Sequence, residues 1–172
     1  MNKAELQKET ALTYEELCVY LLQKYKKPSG ERENGLVRHH ADESRSLRFL
    51  GGMFSLPSLK KSDKNLLRCD VLEHLLLHIK ILDGKKGEKE FSDFLPAVFP
   101  IVREINDFYN GSMRTPPRKL PCLMTVKDDF ENYIALLETL KTILTKTTTI
   151  YIRELALGSD HEIAERTYRA IF

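Results

Sequence analysis

Apolar positions recur at helical spacing along much of this chain. Over residues 13–27, TYEELCVYLLQKYKK, Tyr14, Leu17, Val19, Leu21, Leu22 and Tyr25 give one imperfect helical face. Thr13 stands before it as an N-cap, acidic residues fill its first turn and lysines its end, which are helix start and stop signals. PSGEREN, 28–34, reads as a loop, and GLVRHH, 35–40, as a short strand. Residues 41–63 pass through GG, LPS and several serines and are expected to be mostly loop. NLLRC, 65–69, is a second short strand. Asp70 is a natural N-cap, and VLEHLLLHIKIL, 71–82, follows as a helix that DGKKGEKE ends.

The second half predicts helices. FSDFLPAVFPIVREINDFYNG, 91–111, is apolar at helical spacing, with Pro96 and Pro100 expected as boundaries or kinks. SMRTPPRKLPCL, 112–123, reads as a loop, and KDDFENYIALLETLKTILTK, 127–146, as an amphipathic helix. TTTIYIREL, 147–155, is β-branched and either continues that helix or is irregular. SDHEIAERTYRAIF, 159–172, reads as a last, capped helix. No internal repeat or low-complexity segment is present. The expectation is an α+β, mostly helical fold with strand, loop, strand and helix at its centre.

Composition narrows this little. The 172 residues, 42% hydrophobic and 30% charged, are ordinary for a globular chain long enough to bury a core. A net charge of +2 does not advertise nucleic acid, and the basic clusters QKYKK, LKKSDK and DGKKGEK each read as solvated turns. Cys18, Cys69 and Cys122 are far apart, with no C-x-x-C pair, which fits reduced thiols. The charged N-terminus does not read as a signal peptide, and no run approaches a membrane span. These features lead to the expectation of a cytoplasmic protein with no membrane partner.

The histidines change the picture. Four of the five, His39, His40, His74 and His78, lie in the central unit. His74 and His78, four apart on a helix, share a face and can chelate one divalent cation, although H-x-x-x-H alone is a weak signal. The zinc-protease motif H-E-x-x-H is absent, because Glu73 precedes His74 and Leu75 follows it.

His39-His40 at a strand end, then Asn65, then N-x8-H-x3-H to His74 and His78, resembles the HNH endonuclease family. That family is also called the ββα-metal or His-Me finger, and the colicin-type nucleases carry this spacing. The resemblance covers about residues 35 to 83, with a longer stretch from His40 to Asn65 than in compact members. It implies a small ββα-metal finger embedded in surrounding helices. Residues 1–34 would form an N-terminal helix and linker, 35–83 the finger, and 84–172 a helical region packing on it. It implies His39, His74 and His78 as metal ligands, His40 as general base, and Asn65 orienting His40. One divalent ion (Mg, Mn, Ni or Zn) would be the cofactor and double-stranded DNA the partner. The chemistry is coherent: phosphodiester hydrolysis needs a base that is not itself a ligand, and three protein ligands leave a position open. Adjacent strand residues point to opposite faces, so His39 and His40 can take separate roles.

Other residues carry lesser expectations. Arg38 and Arg68, on the two strands, can contact phosphate, though a surface arginine is the plainer account. Asp42 and Glu43 are candidate extra ligands. Glu73 reads as a solvent-facing helix residue before it reads as a partner of an imidazole. Cys69 reads as a small core residue, His161 as a surface or cap residue, and Arg166 and Arg169 as an exposed charged face that can lie along DNA. The rival account is a catalytically inactive nucleic-acid-binding or interaction module stapled by a structural metal. In a third, the histidines are incidental and the chain binds no metal.

Overall fold

A computed structural model describes residues 3–25, 35–41, 66–86, 91–111 and 116–144. The described residues form six helices and two strands: α1 Lys3–Ala11, α2 Tyr14–Lys24, β1 Val37–His40, β2 Leu66–Cys69, α3 Val71–Gly84, α4 Phe91–Tyr109, α5 Leu120–Met124 and α6 Phe130–Ile143. The fold is mostly helical α+β. None of these helices is long and apolar enough to cross a membrane.

Helix α3 organises the rest. Its sequence is apolar nearly all round, which is the pattern of a buried helix rather than a surface one. Leu72, Leu75, Leu76, Leu77, Ile79 and Leu82 are all buried, and α2, α4, α6 and both strands pack against it. Burial of each such side chain contributes on the order of 1.5–3 kcal/mol. Asp70 caps its start: its side chain accepts from the backbone N–H groups of Leu72 and Glu73, and Glu73 accepts in return from the Asp70 N–H at 2.6 Å. Several polar residues of α3 meet a partner element. Lys80, for example, donates to the Thr10 carbonyl at 3.0 Å and to that of Leu12, closing the end of α1.

The two strands pair antiparallel, with Val37 opposite Cys69, Arg38 opposite Arg68, His39 opposite Leu67 and His40 opposite Leu66. Opposed residues share a face. Val37, His39, Leu67 and Cys69 therefore turn to the core, and Arg38, His40, Leu66 and Arg68 turn away from it. Gly35 leads into β1 at φ 100°, and a Cβ there would stand 2.6 Å from the Thr125 methyl. Only glycine combines that backbone with that approach to the turn after α5.

The structure departs from the sequence expectations in several places. Helix α1 was not expected. Its single large apolar residue, Leu6, is buried, and the helix is held otherwise by polar contacts to α2 and α3. Neither Pro96 nor Pro100 ends α4, which runs through both. The two lie four apart, so their missing donors fall on one side of the helix. The expected loop at 112–123 contains the start of α5, where Pro121 sits at the second helical position, as proline tolerates. Val19 and Leu22 are exposed, so the buried face of α2 is the narrower set Tyr14, Leu17, Cys18 and Leu21. All three cysteines are free. Most of the 28–34 and 41–63 loops, the 147–155 segment and the last helix lie outside the described residues.

Candidate metal centre

The capping box on α3 and the pairing of β1 with β2 bring three imidazoles to one point. His74 and His78 stack one turn apart on α3, with their Nε2 atoms 3.2 Å from each other. His39 comes from the core face of β1, its ring 5.4 Å from that of His74 and 5.0 Å from that of His78, both edge-on. One nitrogen from each of the three lies within 4.8 Å of the others. His39 and His78 are buried, and His74 keeps partial exposure.

Burial sets their charge. It holds the His39 imidazole down to about 3, with the neighbouring His74 and His40 adding to the effect. Burial likewise holds His74 down to about 4, with Lys119 nearby, and pushes His78 well below its ordinary value. At neutral pH the cluster is three uncharged nitrogen donors with lone pairs available. Neutral imidazoles in a close triangle suit zinc, nickel or another borderline divalent ion, so the residues present fit such a group.

Around the triangle stand residues that sequence reasoning did not assign to it. The Tyr14 hydroxyl, on the first residue of α2, is 3.0 Å from His39 Nε2 and also meets the carbonyls of His40 (3.4 Å) and Ala41 (3.2 Å). The signal was available: a tyrosine on a buried helix face needs a partner for its hydroxyl. Lys119 lies beside the cluster at the start of α5 and pairs with Glu104 of α4.

His40 neighbours the triangle in sequence but turns to the other face of the sheet, which it shares with Arg38 and Arg68. Arg38 is exposed, and His40 and Arg68 are partly buried. Asn65, Asp42, Glu43, His161, Arg166 and Arg169 lie outside the described residues.

Glu73 corrects an expectation. It is fully buried and does not face solvent, and it partners other groups than the imidazoles. Its carboxylate accepts from Lys24 Nζ at 2.5 Å and from the Tyr25 hydroxyl at 3.1 Å, tying α3 to α2. Lys24 was read as part of a solvated basic turn, yet it serves three carboxylates at once, with Glu5 at 2.5 Å and Glu9 at 3.0 Å. Burial and the nearby Glu73 push the Glu9 carboxyl up to about 7. Cys69 is buried in the core, as expected.

Comparison with protein-family models, with curated proteins and with solved structures finds no match to this chain.

Proposed function

We propose that this chain is a metal-dependent endonuclease of the HNH type, hydrolysing phosphodiester bonds, with double-stranded DNA as its substrate class. The observation that carries the proposal is the convergence of His39, His74 and His78, from two separate elements, with donor atoms within 4.8 Å. These three residues would hold one divalent ion. Imidazole donors favour zinc or nickel over manganese and magnesium, which prefer oxygen. When bound, the ion supplies positive charge to the phosphate and to the leaving oxygen.

The remaining work falls to the chain. His40, outside the ligand triangle, accepts a proton from the attacking water, a task suited to an imidazole near neutral pH. Asn65, one residue before β2, would orient it. Arg38 and Arg68 share the sheet face of His40 and meet the phosphates on that side.

A second reading has its own support. His39 and His78 are nearly sealed from solvent, as the ligands of a structural metal are. The chain would then be a nucleic-acid-binding or interaction module whose metal staples the finger. One experiment separates the two: supercoiled plasmid with Mg, Mn, Ni or Zn, an EDTA control, and a His40→Ala variant with its metal content measured. The nuclease reading expects metal-dependent nicking, lowered at least 100-fold in the variant while its metal content stays. Metal bound by both proteins without cleavage of DNA or RNA would establish the staple instead.

A further inference from the structure

The Tyr14 hydroxyl has more acceptors around it than protons to give. A phenol carries one O–H and two lone pairs. Within 3.4 Å stand two backbone carbonyls, of His40 and Ala41, and His39 Nε2 at 3.0 Å. The Cys18 thiol, four residues along α2, also interacts with the hydroxyl, as a weak partner able to give or accept. Carbonyl oxygens only accept, so they claim the Tyr14 proton. Were His39 Nε2 also an acceptor, three acceptors would share that one proton. If Nε2 instead carries the imidazole proton, it donates to the Tyr14 oxygen, and each of these three contacts pairs a donor with an acceptor.

A neutral imidazole has one N–H. With that proton on Nε2 and directed at Tyr14, the lone pair sits on Nδ1. The geometry points to Tyr14 as a positioning residue: it holds His39 in the Nε2–H tautomer, so that His39 ligates through Nδ1 while His74 and His78 ligate through Nε2. This inference rests on the metal-centre reading above. It reaches beyond it by giving the helix before the finger a part in the site. Ligating histidines commonly donate their second ring N–H to a fixed acceptor, which orients the ring and raises its basicity. Here the acceptor is a side chain from α2, itself fixed by the Thr13–Glu16 capping box at that helix start.

The test uses the full chain, with zinc alone as the probe. Long-range proton–nitrogen NMR on histidine-labelled wild type, before and after zinc, reads the His39 tautomer and the nitrogen bound. The expected result is protonated Nε2 in both states, with Nδ1 taking the metal shift. Zinc affinity by chelator competition should fall about 10–100-fold in Tyr14→Phe, which keeps the packed ring. Zinc on His39 Nε2, or unchanged affinity in a folded Tyr14→Phe protein, would overturn the inference. The wild-type NMR arm decides the matter even if the variant fails to fold. Zinc bound through Nδ1 without plasmid nicking supports the role of Tyr14 and removes the nuclease reading. No zinc on the wild type removes both.

Discussion

Burial that keeps His39, His74 and His78 uncharged at neutral pH also makes them acid-sensitive. Their folded values are depressed, so between about pH 6.5 and 4 the unfolded chain takes up protons that the native one refuses. Stability from this source is present above about pH 6.5 and is lost as the pH falls below it. Glu9 acts in the opposite sense. Its carboxyl is pushed up from 4.5 to about 7, so its contribution weakens as pH rises through that range. The readout is therefore a difference. Metal-free wild type and His78→Leu, unfolded in urea at several pH values, should diverge, the wild type losing relative stability below pH 6.5. Parallel curves would take His78 out of the account.

At the scale of elements, one cation, Lys24, ties α1, α2 and α3 together, beside the Lys80 contacts to the end of α1. Lys24, 20% exposed, stands among Glu5, Glu9 and Glu73, two of them sealed from solvent. Lys24→Met leaves those carboxylates facing one another and is expected to cost about 3–5 kcal/mol in urea unfolding. Adding Glu9→Gln should recover part of that loss. If Lys24→Met costs under about 1 kcal/mol, the junction is held by apolar packing and the Lys80 contacts instead.

The elements differ in how legible they were. Asp70 announced α3, and β1 and β2 followed from short β-prone runs, because those signals are local. Helix α1 has no apolar stripe, and its reason to exist, Lys24 and Lys80, lies elsewhere in the chain. The burial of Glu73 was hidden for the same cause, since only the fold brings Tyr25 and Lys24 to it. The histidine spacing suggested the triangle, while the hydroxyl that completes it comes from a different helix. What was missed depends on contacts between residues far apart in sequence.

For the whole molecule, α3 is the shared wall of one hydrophobic core that draws on every described helix and on β2. A cavity opened in it should be felt everywhere. Leu82→Ala removes a side chain with no exposure, one turn from the nearer half of the histidine pair. The expected cost is about 2–5 kcal/mol, with helix content and the NMR signals of the three histidines lost in a single coincident transition. Separate midpoints for the two probes would mean that the histidine cluster unfolds as a unit of its own.

The Lys80 contacts with the end of α1 carry a consequence for engineering. A short strand pair and its helix can be pictured as a portable cassette. In this chain α3 closes the last turn of α1 and lends a carboxylate to α2, and the Tyr14 phenol of α2 reaches His39 beside it. Residues 35–86 alone would carry all three imidazoles and lack the walls that keep them neutral and aligned. Grafting the histidine triangle elsewhere means transplanting its neighbours with it, α4 and α6 as well as the N-terminal pair α1 and α2.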